Sequence, residues 1–285
     1  MAAYLIYIML CLIWGSTWLA IKIGLEDSPP LWSAGLRFVI AAIILFIINS
    51  IKRVPYPRDW KTIRTVAFPG IFMYSLSYML VYWGETHIGS AMMAVLYTTF
   101  PFFVAAFAAI MLKDERLSPL AWGGLVIGFG GVIVIFFDSL NISQLAFGGT
   151  VAGVASSASS AFATVYIRAK LRETPIRMMA SLQITLGAIL IIIFAALLEP
   201  PTAFRVTTKS VSALLYLSVF GTVIAFLAYY WLLRRMHAVT VSLMTFFIPV
   251  IAIALGYAVR AETFSYLAVV GTVLILAGVV LVVKK

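Results

Sequence analysis

Aromatic and hydroxyl side chains recur at helical spacing inside the long apolar runs of this 285-residue chain. Trp14 and Trp18 are four residues apart, so they share one face of a helix, with Thr17 between them. Tryptophan in a membrane usually marks the interface, and these two lie too deep in their run for that role. Two interpretations stay open: the rings pack against a neighbouring helix, or they form a cavity wall that stacks on a flat molecule.

A second polar stripe lies in the third apolar run, and a related one lies in the eighth. The two sets are Ser75, Tyr78, Tyr82 and Glu85 in the third run, and Thr222, Phe226 and Tyr229 in the eighth. A phenol that faced lipid would leave its hydroxyl without a hydrogen-bond partner, so the stripes should face protein or water. A cavity and a sealed core both satisfy this. The chemistry available to such residues is noncovalent, namely ring stacking and hydrogen bonding to a small molecule.

Two prolines in the middle of apolar runs extend this candidate site. Pro101 and Pro249 each remove the helical hydrogen bond to the carbonyl four residues earlier, which belongs to Tyr97 in one run and to Thr245 in the other. Such kinks are often only tolerated in membrane helices. Interrupted helices at matching positions in two halves, however, are typical of transporter binding sites. The carbonyls released from this helical bond could accept from a substrate amine, and the prolines could act as hinges.

The sixth run, from Gly148 to Thr164, is rich in glycine, serine and threonine. Small residues let helices pack closely, and a hydroxyl-lined cavity wall is the alternative. Ser160 is the candidate binding residue from this run. Arg37, about two turns inside the second run, is expected to reach the interface or to pair with Glu26 or Asp27, and a role in substrate binding is the alternative.

The ten acidic residues address the question of ion coupling. Nine are predicted to lie in loops or at helix ends, and Glu85 lies at the outer end of its helix. A proton-coupled carrier usually needs an acid or histidine at depth. Glu85, with His87 close behind, is therefore a possible gate or proton site. We expect facilitated transport without an obligatory ion, and proton exchange through Glu85 is the alternative.

Several kinds of chemistry are excluded by what the sequence lacks. It has no Gly-Lys-Ser/Thr phosphate loop, so ATP is not expected to drive it. Two histidines and the single Cys11 cannot build a metal site, and no serine–histidine–acid arrangement is visible in the apolar runs. No pore ring or selectivity filter is visible either. We therefore expect no catalytic residue, no metal and no cofactor.

These residues must be positioned by membrane-spanning helices. Hydrophobic residues make up 64% of the chain and charged ones 11%, and the mean hydropathy is +1.10. A soluble domain is nearer half apolar and a quarter charged. Ten runs reach bilayer-spanning length and lack two-residue alternation, which predicts an all-α integral membrane protein. The runs are 4–24, 31–51, 65–85, 89–112, 119–137, 147–167, 176–198, 211–233, 240–258 and 264–283.

The basic residues predict the orientation of these helices. Fifteen of the 20 lysines and arginines fall on the side of the termini and 3 on the other side, while Lys22 and Arg37 lie within spans. Cytoplasmic loops carry the excess of basic residues, so both termini are predicted to be cytoplasmic, in the inner or plasma membrane. The same placement accounts for the net charge of +10 without nucleic acid.

The chain also repeats itself at an offset of 147 to 148 residues. The repeated features are the two prolines, the turns Glu115-Arg116-Leu117-Ser118 and Glu262-Thr263-Phe264-Ser265, and the glycine pairs Gly124/Gly131 and Gly271/Gly278. We predict two five-helix repeats, 1–138 and 139–285. Because five is odd, the second repeat is inverted in the membrane, which is the architecture of alternating-access transporters.

The chain resembles the EamA type of the drug/metabolite transporter superfamily. The matching residues are Trp14-Gly-Ser-Thr-Trp18, Leu36-Arg37-Phe38, the two proline-bearing helices, and the Glu115-Arg116-Leu117-Ser118 turn with the glycine-spaced helix behind it. The sixth run lacks the Trp-Gly pattern of the first. The resemblance covers essentially the whole chain and implies ten helices and export of amino acids or other small metabolites.

We therefore expect a monomeric exporter of neutral or zwitterionic small molecules that works by alternating access. Its site would lie between helices 1, 3, 4, 6, 8 and 9, and its partners would be the substrate and the lipid bilayer. A membrane-embedded enzyme, a lipid flippase and a channel are the alternatives. The candidate binding residues are Trp14, Thr17, Trp18, Tyr78, Tyr82, Tyr97, Ser160, Tyr229 and Thr245.

Overall fold

The computed structural model describes residues 2–112, 118–236, 241 and 244–283. Within these residues the chain forms helices joined by short turns and contains no strand, which confirms the all-α prediction. The Glu115-Arg116-Leu117 part of the repeated turn lies outside the described residues. So do the basic residues Lys113, Lys284 and Lys285.

The helices of the described residues fall into ten segments. They are α1 (Ala2–Gly24), α2 (Pro30–Ile51), α3 (Trp60–Glu85), α4 (Ser90–Met111), α5 (Pro119–Ile142), α6 (Gln144–Lys170), α7 (Ile176–Leu198), α8 (Thr208–Arg235), α9 (Met244–Arg260) and α10 (Tyr266–Val283). Seven of them are long and apolar enough to cross a bilayer; α5, α9 and α10 contain shorter apolar stretches. The protein is therefore a multi-pass membrane protein, and the number of ten crossings stays a prediction.

Polar side chains at the helix starts explain where some helices begin. At α3, Asp59 accepts from the Thr62 backbone N–H at 2.8 Å, and this bond lowers the pKa of the Asp59 carboxyl. At α2, the Glu199 carboxylate accepts from the backbone N–H groups of Leu31 and Trp32 at 3.0 Å. Because Glu199 follows α7, this second cap ties the two halves of the chain together.

Helices α3 and α8 each contain a six-residue π-helix, Ile71–Leu76 in α3 and Val219–Ile224 in α8. The two π-helices are 148 residues apart, which is the offset between Pro101 and Pro249. A π-helical turn disturbs the regular hydrogen-bond ladder and is often found at functional sites. Here the Gly221 carbonyl accepts from side chains of two other helices. Sequence analysis did not predict either π-helix.

Helices α5 and α10 pack through glycine. A Cβ atom on Gly131 would lie 2.5 Å from the Gly271 carbonyl oxygen, and one on Gly278 would lie 2.5 Å from the Gly124 carbonyl oxygen. No side chain larger than hydrogen fits at these two positions without a shift of the backbone. The glycine pairs that mark the sequence repeat therefore lie against each other, as small residues do in close membrane-helix packing.

The two proline-bearing helices differ from each other. Helix α4 is interrupted at Thr98 and Thr99, between Ser90–Tyr97 and Phe100–Met111. The Thr98 and Thr99 hydroxyls donate to the carbonyls of Val95 and Leu96 at 2.6 and 2.7 Å, and such bonds compete with the helix ladder. In contrast, α9 runs without a break through Pro249. The expectation that both helices are interrupted is therefore wrong for α9.

Candidate functional site

A cavity lies between the two halves of the chain, with about 720 Å³ of empty space including its opening. Its lining residues come from α1, α3, α4, α6, α8, α9 and from Val241 just before α9. These are the six helices expected from the sequence. Eight of the nine candidate binding residues line it: Trp14, Thr17, Trp18, Tyr78, Tyr97, Ser160, Tyr229 and Thr245. That they bind a substrate stays a prediction.

Aromatic rings form much of the cavity wall. The Trp14 ring lies 5.5 Å from Phe226 and 5.3 Å from Tyr229, measured between ring centroids. The Trp18 ring lies 5.4 Å from Tyr97. These separations are typical of favourable edge-to-face and tilted ring pairs. The spacing of Trp14 and Trp18 on α1 therefore places one ring against α8 and the other against α4, on two sides of one cavity.

The hydroxyl groups of the wall bond to each other. Ser160 Oγ donates to Ser77 Oγ at 2.8 Å, and the Thr164 and Tyr229 hydroxyls are 3.0 Å apart. Trp18 differs, because its Nε1 is buried and has no hydrogen-bond partner in the described part of the chain. A buried donor of this kind is costly to leave unpaired. Among the lining side chains, Trp18 therefore holds an unused N–H donor.

Tyr82, the ninth candidate, is fully buried and does not line the cavity. Its hydroxyl accepts from Arg37 Nη1 at 3.4 Å. Sequence analysis placed Tyr82 with Tyr78 because they share a helical stripe. Neighbouring positions on one stripe differ in depth when another helix packs over one of them, and here α2 covers Tyr82.

Arg37 contradicts the expectation that it reaches the interface or pairs with Glu26 or Asp27. Its side chain is 1% exposed, and Nε and Nη2 donate to Thr222 Oγ1 at 2.8 Å and to the Gly221 carbonyl at 3.1 Å. Its guanidinium carbon also lies 4.8 Å from the ring centroid of Tyr78, which lines the cavity. No described carboxylate lies at ion-pair distance from Arg37. The cation is therefore held by neutral acceptors and a π face directly behind the cavity wall.

A second buried polar cluster was missed by sequence reasoning. Gln183 on α7 donates to the Val66 carbonyl at 2.9 Å and accepts from the Tyr230 hydroxyl at 2.6 Å. The hydroxyls of Tyr230 and Tyr74 are 2.8 Å apart. Tyr230 follows Tyr82 by 148 residues, so the repeat offset was a signal that could have found it.

Charged residues form ion pairs at the end of the molecule that faces away from the termini. Glu26, in the turn after α1, accepts from Lys209 Nζ at 2.8 Å and from Arg260 Nη1. The bonds from Lys209 and Arg260 lower the pKa of Glu26. Because Lys209 lies on α8 and Arg260 ends α9, the pairs join the first half of the chain to the second. Glu85 lies beneath this surface and is fully buried.

The two predicted hinges occupy different settings. Pro101 lies two residues after the break in α4 and one residue after Phe100, which lines the cavity. Pro249 follows Ile248, another lining residue, inside the continuous helix α9. Both prolines are buried beside the cavity.

Comparisons with known proteins agree with this architecture. The model of the EamA-like transporter family matches the chain twice, over residues 1–137 and 147–284. The uncharacterized inner membrane transporter YedA of Escherichia coli K12 is 30% identical over 277 residues, which cover 96% of this chain and 88% of YedA. The uncharacterized transporter YoaV of Bacillus subtilis is 29% identical, and the match covers 95% of this chain and 93% of YoaV.

A solved crystal structure shares the fold. It superposes with a TM-score of 0.72 at 19% sequence identity, and the match covers 99% of this chain and 97% of the other. At this identity the likeness concerns the fold alone.

Proposed function

The chain belongs to the EamA-like transporter family, and from this premise we propose that it is a secondary exporter of small neutral or zwitterionic molecules that works by alternating access. The observation that carries the substrate class is the cavity lining: none of the described residues that line it is charged. An anion such as a phosphate ester would require an arginine or lysine clamp in the wall.

The lining favours a substrate with a flat apolar part, such as an aromatic or apolar amino acid. The rings of Trp14, Trp18 and Tyr97 offer faces and edges for stacking. The unused Trp18 N–H could donate to a substrate oxygen. The Tyr97 carbonyl, to which Pro101 cannot donate, could accept from a substrate amine.

Alternating access is supported by the paired features of the two halves. The family model matches each half separately, and the π-helices and prolines recur at an offset of 148 residues. We propose that residues 1–138 and 139–285 form inverted repeats that rock about the cavity, with Pro101 and Pro249 as hinges. The protein would act as a monomer with both termini in the cytoplasm. The resemblance to metabolite exporters supports the direction of transport.

The test is counterflow in liposomes that contain the purified protein and an amino acid chosen by thermal shift. We expect saturable uptake without chemical change of the substrate. Tyr97→Ala should weaken uptake about fivefold, because a lost ring contact costs about 1 kcal/mol and 1.4 kcal/mol is tenfold. The matched control is Phe46→Ala, which removes a ring that is 64% exposed on the outer face of α2.

Three outcomes would contradict the proposal. Flux that does not saturate would indicate a channel, and conversion of the substrate would indicate an enzyme. Equal uptake by Tyr97→Ala and Phe46→Ala would mean that the aromatic cavity is only a packed core.

A further inference from the structure

Glu85 is a buried carboxylate that the proposed transport cycle does not use. It ends α3, one helical turn beyond Val81, which lines the cavity. Its side chain is 0% exposed, and neither Oε1 nor Oε2 has a hydrogen-bond partner in the described part of the chain. Sequence analysis placed this residue at a helix end and did not predict its complete burial.

The nearest cation does not bind the carboxylate directly. Lys22 Nζ donates to the backbone carbonyls of Glu85 and, at 2.8 Å, of Ile88. Lys22 follows Ile21, which lines the cavity, so the ammonium connects α1 to the turn between α3 and α4. This bridge lies next to the cavity, toward the side away from the termini. Within the described residues, Lys22 forms no ion pair with the Glu85 carboxylate.

A second carboxylate in the same region provides the contrast. Glu262, between α9 and α10, accepts from Ser90 Oγ at 2.6 Å and from the backbone N–H groups of Ser90 and Ala91 at 3.2 and 2.9 Å. Three donors at the start of α4 stabilise its negative charge. Glu85 has none, although both residues lie at the same end of the molecule.

The charged and titratable groups around Glu85 come from several elements. They are Lys22 on α1, Arg37 on α2, Tyr82 on α3 and Glu262 from the second half, and Arg260 acts on Lys22 in turn. Lys22 and Arg37 favour a negative charge on Glu85, and Glu262 opposes it. Neither cation is within ion-pair distance, so neither replaces the water that the carboxylate loses on burial. Burial of a carboxylate without donors is costly because its charge loses hydration, and protonation removes the cost of burying the charge.

We propose that Glu85 is a proton-binding site of the outer gate, which holds a proton while the Lys22 bridge is closed and releases it outward when the gate opens. The inference rests on the proposed alternating access, because it requires an outward-open state. In that state water reaches the carboxylate, which then ionises. The closed state binds one proton more than the open state, so a higher outer pH favours opening.

The proton enters and leaves Glu85 on the same side of the membrane. Outer pH therefore sets how often the gate opens and does not drive accumulation of the substrate. This agrees with the expectation of transport without an obligatory ion.

The test measures opening of the gate through a thiol in the cavity. Thr17→Cys, in a Cys11→Ala background, places a thiol of similar size on the lining. Right-side-out vesicles are treated with a membrane-impermeant maleimide between pH 5.5 and 8. The labelling rate is divided by that of Ala203→Cys, an exposed position on the outer side, to remove the effect of pH on thiol reactivity. Release of one proton per opening predicts that the ratio rises by up to about tenfold per pH unit.

Glu85→Gln should make this ratio independent of pH, and Glu85→Asp should restore the slope. Glu262→Gln is the matched control, since Glu262 is already fully hydrogen-bonded, and it should keep the slope. A slope that survives in Glu85→Gln, or that is lost in Glu262→Gln alone, would overturn the proposal. If Thr17→Cys is labelled but the labelling ratio does not depend on pH, the proton site is refuted and alternating access is still supported. If Thr17→Cys is never labelled from outside, alternating access fails, and the proton site fails with it.

Discussion

At the scale of single residues, the site depends on polar groups that are paired across helices. Arg37 on α2 and Gln183 on α7 are both buried, and each bonds a tyrosine, Tyr82 in one case and Tyr230 in the other. Arg37 also spans to the π-helix of α8 through Thr222. Because its charge is permanent, it imposes a positive potential behind the Tyr78 wall. It therefore both links the two halves and affects the cavity electrostatically.

Removal of the Arg37 side chain should destabilise the protein. Arg37→Ala removes the donor to Thr222 and to Tyr82 and one of the two side-chain donors to the Gly221 carbonyl. Three hydrogen bonds inside a membrane protein are lost, at a cost of about 2 kcal/mol. Arg37→Gln can keep part of this bonding and should lose less. Thermal unfolding in detergent checks this: the unfolding temperature should fall from the wild type to Arg37→Gln and further to Arg37→Ala. Arg58→Ala, at an exposed position, is the control, and an equal effect of Arg37→Ala and Arg58→Ala would refute the assignment.

At the scale of helices, local sequence determines where the ladder of hydrogen bonds is disturbed. In α4 two threonines and a proline act together, and the helix breaks. In α9 no pair of threonines lies just before Pro249, and the helix continues through the proline. In α3 and α8 the disturbance is a π-helix, and in each π-helix a carbonyl accepts from a side chain of another helix. The four helices that carry these irregularities all line the cavity.

The break in α4 should matter more for transport than the proline in α9. Pro101→Ala restores a donor for the Tyr97 carbonyl, so we expect a higher unfolding temperature and a slower exchange rate. Pro249→Ala restores a donor in a helix that is already continuous and should slow exchange less. Counterflow rates and thermal unfolding of the two variants, measured in parallel, test this order. A faster or unchanged rate in Pro101→Ala would remove its role as a hinge.

The packing of α5 against α10 can be tested by alanine substitutions at two adjacent glycines. Gly131→Ala brings a methyl group to within 2.5 Å of the Gly271 carbonyl oxygen, whereas Gly130→Ala meets no atom within 4 Å. Overpacking typically costs about 1–3 kcal/mol, so Gly131→Ala should lower the unfolding temperature. Gly130→Ala should leave it unchanged or raise it slightly. Similar unfolding temperatures for the two variants would mean that the helices are not packed at this distance.

At the scale of the whole molecule, apolar side chains cover the outside while polar groups lie between the halves. Exposed residues such as Ile110, Val126 and Phe137 form the outer surface, as expected where lipid replaces water. Buried serines, threonines and tyrosines surround the cavity instead. This inside-out distribution is what a substrate path through a membrane requires.

The orientation of the molecule is predicted from its basic loops and can be tested by labelling. Cysteines introduced at Arg58 and at Gln144, both exposed in the structure, should react from opposite sides of the membrane. Arg58 should be cytoplasmic. Cys11 is buried and is replaced by alanine to remove its background. Labelling of both positions from one side would show that the number of crossings between them is not odd and would refute the ten-helix topology.

The sequence by itself determined the all-α membrane fold, the approximate helix positions and eight residues of the cavity wall. These follow from properties of single segments: bilayer-spanning length, the 3.6-residue period and the cost of exposing a hydroxyl to lipid. Trp14 and Trp18 share one face of α1 whichever helix packs against it. They could therefore be assigned to the same wall before the neighbouring helices were known.

Only the tertiary structure decided which partner each buried polar group has. Arg37 bonds Thr222, 185 residues away, and Glu26 pairs with Arg260, 234 residues away, instead of both bonding near neighbours in sequence. Tyr82 lies behind the wall, and Glu85 is buried without a donor, because other helices pack over them. Burial and hydrogen bonding depend on which helices are adjacent in space, and the period of a single helix carries no information about that.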